Sequence, residues 1–381
     1  MALSLAHQVV AERRPSRNRL CVAIAPLLVL VVTLTTARIS HAVPARLTTE
    51  QRSEVRKLLS EFRRARKTPE KRDAIVEKLL KIGAPTPENL LKTIQKEIGP
   101  QLKKYGTSFQ KRAAELGREQ WSAIKPQEVQ ALRAKVLALK ERKNLTKRMI
   151  VAEGDPAMAR LRELFVFKRE KVLESTPALK STRTKLLSLG RHWQQCVSHI
   201  EAKAKAEAKA NPAAKANMSD QKTTFENYLR GEEELAAQLA MPMNARTRSI
   251  FAANARLASK IDSEERRAIL ACNLMRHLLG LNVCRTDIRL VATGRDHSAD
   301  MQNLKFFAHE SPIAGKKEPW DRAKRFGTTA SSENIAMGYH DGKAVNLGWF
   351  HSPGHHRNML GRHARIGIGR TGVHYTELFG R

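Results

Sequence analysis

Imidazoles crowd into the last third of this 381-residue chain, where nine of its 13 histidines follow Ser263. Three segments there set histidines or a carboxylate among aromatic and small residues: FFAHESP (306–312), SSENIAMGY (331–339) and GWFHSPGHHRNML (348–360). Neutral imidazoles meeting a carboxylate suit zinc or another divalent transition metal. The same groups can act as general base and orienting acid around a bound water, or form a satisfied polar network that pins loops over a core. Other chemistries lack their signatures. The chain has no nucleophile elbow, phosphate-cradling glycine loop, CxxC pair or dinucleotide fingerprint, and Ser311 and Ser332 sit in no activating turn.

The elements that must position these groups are short. Ile366–Gly369 and Val373–Phe379 read as strands of a hairpin around Thr371-Gly372. On the second strand His374 shares a face with Thr376 and Leu378. Half buried there, it needs a partner, and Glu333 can supply one. Ser352-Pro353 reads as an N-cap and first-turn proline, starting a helix that carries His355 and Asn358. Trp349 lies at helical spacing from Val345 and reads as a core anchor, as do Phe306, Phe307 and Trp320. His340, His351, His356 and His363 read as surface or cap residues. Helices followed by strands in this order predict an α+β layered domain over 264–381.

Upstream the pattern is helical. Thr48 with Gln51 forms a capping box ahead of Val55, Leu58, Leu59 and Phe62. Thr68-Pro69-Glu70, Thr86-Pro87-Glu88 and Asp155-Pro156 are further helix starts, and Gly83 ends one helix. Residues 43–200 therefore predict an α-helical bundle or long hairpin. The Ala/Lys-rich stretch 201–220 reads as a linker, half helical until Asn211-Pro212, and 221–263 as a helical connector. At the N-terminus, Arg13, Arg14, Arg17 and Arg19 precede an apolar run, Cys21–Ala37, and then Ser40-His41-Ala42. That order predicts a signal peptide over 1–42 and a secreted, periplasmic or extracellular protein; an uncleaved anchor is the alternative. Its removal leaves Cys196, Cys272 and Cys284. Cys272 and Cys284, twelve apart across a helix end at Gly280, are the candidate disulfide. Cys196 lies on the apolar stripe Leu186, Leu189, Trp193, Val197 and Ile200 and reads as a buried hydrophobe.

Charge is uneven. The chain holds 69 Lys+Arg against 37 Asp+Glu. Residues 264–381 carry 18 basic and 11 acidic side chains, about +7, whereas 43–263 carries about +21. A surface of that kind attracts anionic polymers or an anionic envelope surface by charge alone, with too few aromatics for specific nucleic-acid recognition.

The three histidine- and glutamate-bearing segments, with HSADM (297–301) before them and VHYTELFG (373–380) after, resemble the CAP superfamily of cysteine-rich secretory, antigen 5 and pathogenesis-related proteins. The likeness is to its bacterial branch and covers roughly 264–381. It implies an α-β-α sandwich whose cavity is lined by two histidines and two glutamates. Carried over, these are His309, Glu333 and His374, with His355 standing near the place of the second glutamate, which this chain lacks. Glu377 replaces the family's usual glutamine. The resemblance thus implies a metal set of His309, His374 and Glu333 and a lipid-like or metal-linked small ligand. A metal-assisted hydrolase acting on peptide or envelope polymer is the rival reading, and a polyanion-binding helical protein with a structural CAP domain is the third.

Overall fold

The structure, a computed structural model, describes residues 47–66, 68–83, 85–210, 225–257 and 259–381. The expected signal peptide and the second half of the Ala/Lys linker lie outside the described residues.

The helical region runs α1 (Thr49–Arg64), α2 (Pro69–Ile82), α3 (Thr86–Ser122), α4 (Pro126–Leu139), α5 (Lys147–Met149), α6 (Asp155–Phe165), α7 (Arg169–Glu174) and α8 (Pro177–Ala210). Then come α9 (Phe225–Leu239) and α10 (Ala245–Ala255). The starts follow local chemistry. Thr48 and Gln51 form the full capping box, and prolines open α2, α4 and α8. Gly83, at φ +87°, ends α2 in a conformation that glycine alone adopts freely. Thr68 precedes Pro69 as expected, but its side chain makes no capping bond.

The C-terminal region runs α11 (Ser263–Leu278), β1 (Arg285–Thr286), α12 (Ile288–Leu304), α13 (Pro319–Arg325) and β2 (Ser332–Met337). It ends with α14 (Gly342–Phe350), α15 (Pro353–Met359), β3 (Arg365–Thr371) and β4 (His374–Gly380). The sheet order is β1-β3-β4-β2, with β1 parallel to β3 and the other pairs antiparallel. The hairpin expected around Thr371-Gly372 is present, with Gly372 at φ +56°. α12 packs on one sheet face over Gly367 and Gly369, where any Cβ would overlap the backbone of Leu290–Arg295. α11 and α14 cover the other face, completing the α-β-α sandwich. β2 is an edge strand, yet its outer carbonyls are occupied. Ile335 accepts from the Trp349 indole at 3.1 Å and Glu333 from the Asn358 amide at 3.0 Å, which closes that edge to further strand pairing.

The hydrophobic cores divide the chain differently from the expected blocks. One core gathers α1–α3 and α7–α9 around Phe62, Leu90, Ile94, Phe109 and Leu186. The other joins the sandwich to α4, α6 and α10 through Val136, Leu139, Ile150, Met158, Leu161 and Phe251. The stretch 221–263 is therefore split between the two cores, and the sandwich is packed against helices far upstream of 264. Arg133 donates to the Leu278 carbonyl and Arg357 to those of Lys140 and Arg142, sealing this junction.

The cysteine expectation needs correcting. Cys196 is buried as foreseen, but Cys272 and Cys284 are free thiols, both fully enclosed. Each thiol lies beside a polar group: Cys272 faces the Glu377 carboxyl, and Cys284 donates to the His363 carbonyl at 3.8 Å.

Candidate functional site

The site forms where the closed edge of β2 meets α13, α15 and the loop after α12. That loop leaves the helix at Lys305, the one non-glycine among the described residues with positive φ, 56°. His297, buried on α12, donates from Nε2 to the Ala308 carbonyl at 3.0 Å and so fixes the backbone just before His309. Burial of that ring pushes its pKa down, keeping it a neutral donor.

Glu333 points from β2 to the α12 face and is 6% exposed. Its Oε2 accepts from Arg322 Nη2 at 2.6 Å, and its Oε1 accepts from His309 Nδ1 at 2.9 Å. Arg322 is fully buried, and its other terminal nitrogen donates to the Lys316 and Lys317 carbonyls, both at 2.9 Å. A carboxylate held by a guanidinium only accepts, so the Nδ1 of His309 carries a proton, and in the neutral ring its Nε2 presents a lone pair. The His309 side chain is 50% exposed, which opens that lone pair to a ligand.

His355, in the first turn of α15, lies close enough to His309 for one charge to disfavour the other. Burial first, and then that neighbour, lower its pKa. α15 is fastened by Asn358, which donates to the Glu333 carbonyl and to Asn334 Oδ1 at 2.8 Å. Asn334 in turn donates to Glu377 Oε2 at 2.7 Å. Glu377 is wholly buried on the opposite face of the sheet, and burial raises its pKa to about 7.

His309, Glu333 and His355 therefore come together, and His374 does not. The β2–β4 register sets Glu333 opposite Leu378 and Met337 opposite His374. His374 is on the same sheet face but four positions along the strand, about 13 Å away. Its Nδ1 has no hydrogen-bond partner among the described residues, and burial lowers its pKa. The expected metal set of His309, His374 and Glu333 is not assembled. Both Glu333 oxygens are engaged, and two imidazoles fall short of the three protein ligands a catalytic zinc uses. Among the described residues no group of three or more His, Cys, Asp or Glu side chains is arranged to hold a metal ion.

Other expectations also shift. Trp349 is a core anchor, 1% exposed, but Phe307 and Trp320 stand at 48% and 58% exposed near the His309 loop. His356, read as a surface residue, is buried and donates from Nδ1 to the Phe350 carbonyl at 2.7 Å, while His351 pairs with Asp155 of α6 at 2.9 Å. Sequence reasoning missed Arg322 and His297. His297 had a signal, since it continues the helical stripe Leu290, Val291, Gly294, Ser298 and Met301. Arg322 had none, because nothing local separates it from the exposed Lys324 and Arg325.

Residues 270–375 match the model of the cysteine-rich secretory protein family, CAP. The uncharacterized protein YkwD of Bacillus subtilis (strain 168) is 31% identical over 126 residues, 32% of this chain and 48% of that protein. The uncharacterized membrane protein YlbC of the same organism is 30% identical over 122 residues, 32% of this chain and 35% of that one. This chain thus spans about half or less of these relatives. An extracellular protein of Bacillus anthracis str. Ames containing an SCP domain aligns over 39% of this chain and 49% of its own, at 25% identity and a TM-score of 0.31. An outer surface protein of Borrelia burgdorferi aligns over 32% of this chain and 96% of its own, at 21% identity and a TM-score of 0.28.

Proposed function

We propose, residues 270–375 being a CAP domain, that this is an exported protein whose CAP domain binds a small, lipid-like ligand at His309. In this reading the cationic helices hold the protein to an anionic envelope surface. One observation carries the first part: Glu333, fixed by Arg322, orients His309 so that its Nε2 lone pair faces outward beside His355. Such an acceptor takes a hydroxyl or amide proton of a ligand. The exposed Phe307 and Trp320 offer apolar surface to the ligand's body. Export rests on the charged, apolar and small-residue order of the first 42 residues. Among the described residues no helix is long and apolar enough to cross a membrane.

The hydrolase reading keeps one supporting feature. A histidine oriented by a carboxylate can take a proton from a bound water. The nearby Ser311 hydroxyl is buried and accepts from the Ile313 amide at 3.3 Å. The metal-assisted form of this reading lacks an assembled ligand set.

The test is nuclear magnetic resonance of the histidine ring nitrogens in the full chain during titration with monodecanoylglycerol, which has two hydroxyl donors. His309 is expected to hold its proton on Nδ1 and to shift saturably at Nε2, and H309A should lose the interaction while H374A keeps it. A His309 signal that does not move, or equal affinity in H309A, would refute the reading.

A further inference from the structure

A cleft that His309 does not line lies where the helical region meets the CAP domain. It has a volume of about 520 Å3, within the ~300–1,000 Å3 range of small-ligand sites. Lys147 of α5 borders it on one side. Leu347 and Gly348 of α14 form part of its floor, and Tyr339, His351 and Ser352 complete the wall. Leu347 is 49% exposed, a large apolar side chain facing open space. Gly348 matters here because a Cβ at that position would overlap the Tyr339 hydroxyl. The phenol therefore lies across bare helix backbone.

The polar groups around this floor are donors without work. Among the described residues Lys147 pairs with no carboxylate, and the Tyr339 hydroxyl bonds to no protein group. Ser352 precedes α15 but its side chain makes no capping bond. Asp155 is not paired with the lysine; both of its oxygens are on His351 Nε2 at 2.9 Å. One free cation and two free hydroxyls above an apolar floor select for negative charge attached to an apolar body.

We infer that this cleft binds a small amphipathic anion, a flat apolar body bearing one carboxylate. Lys147 and the two hydroxyls take the carboxylate, and Leu347 packs under the body. The site joins the two parts of the chain, since α5 supplies the charge and α14 the floor, so neither part alone presents it.

The test is calorimetric titration of the full chain with 2-naphthoate and with neutral 2-naphthamide. Naphthoate is expected to bind at least about tenfold more tightly, as one charge-assisted contact implies. K147Q should erase that preference, and L347D should abolish binding of both; each residue is exposed, so both variants keep the fold. H309A should bind naphthoate as the wild type does, which separates this cleft from the His309 site. Equal affinity for the two probes, an unaltered preference in K147Q, or loss of binding in H309A would overturn the assignment.

Discussion

Glu377 is the residue at which this chain departs most from the chemistry of its surroundings. It sits on β4 with no exposed surface, one oxygen on Asn334 and the other near the Cys272 thiol. Its pKa of about 7 in the fold lies above the ordinary 4.5. Below pH 4.5 the group is neutral in both states and costs nothing. Between 4.5 and about 7 the unfolded chain releases a proton that the folded chain retains, so stability falls as pH rises, and above 7 the loss is constant. The full shift is worth up to about 3 kcal/mol. Glu377→Gln should therefore stabilise the protein by about 1–3 kcal/mol at about pH 8 and by little at about pH 4, in urea unfolding at both values. Equal gains at the two pH values would mean that Glu377 is not the titrating group. Arg322 and His309 make a sharper contrast. Arg322→Met leaves Glu333 buried with only its hydrogen bond from His309, at a cost of about 3–5 kcal/mol. His309→Ala removes a half-exposed partner and should cost about 1 kcal/mol or less. At this scale the sequence exposed His309, Glu333 and His355, because their segments are distinctive. It hid Arg322, since burial of an arginine is decided by what packs around it.

Elements bring those residues together through close backbone approach. Gly294 on α12 faces Gly369 and Thr376, and Gly367 and Gly369 face the α12 backbone in return. With no side chain between them, helix and sheet touch, which lets Ser298 reach Thr376 at 2.9 Å. Gly369→Ala should force the layers apart and destabilise by about 1–3 kcal/mol or more. Gly354→Ala, in α15 with open space around it, should be neutral or stabilising by up to about 1 kcal/mol. Thermal melts of the two variants check this, and a harmless Gly369→Ala would show that the contact is loose. Helix starts and the terminal hairpin were legible because capping and turn chemistry act over a few residues, as at Thr48 and Gly372. The pairing of β2 with β4 was not. His374 was set on one face with Thr376 and Leu378, but the strand that carries Glu333 was not foreseen, and the register between strands that begin at Ser332 and His374 is set by the helices between them. That is why His374 was grouped with His309 and Glu333, from which the register separates it.

At the scale of the whole molecule, the two cores cross the boundary that composition suggested near Ser263. Leu139, Ile150, Met158 and Leu161 pack with Phe350, Met359 and Phe251 in one cluster. A fragment beginning at Ala245 would expose that surface to water. It should melt at lower temperature than the C-terminal transition of the full chain, whereas matching transitions would restore the boundary at 263. Histidine and glycine content marked where the sandwich begins, but it could not show that α4 and α6 lean on it. Charge adds a final consequence. Residues 43–263 hold about +21, and several of their carboxylates are already committed internally. Glu97 is on Arg72, Glu153 on Arg142, and Glu233 on Arg169 and Arg183. The net charge of this region therefore rests on lysines and arginines in excess of its carboxylates. Duplex DNA, as a generic polyanion, should bind the full chain without sequence preference. If the contact neutralises about four phosphates, affinity should fall roughly 100-fold between about 50 and 200 mM salt. The slope of affinity against salt, measured by fluorescence anisotropy, counts those contacts. A slope near zero would mean that the helices recognise shape, and the proposed hold on an anionic envelope would lose its basis.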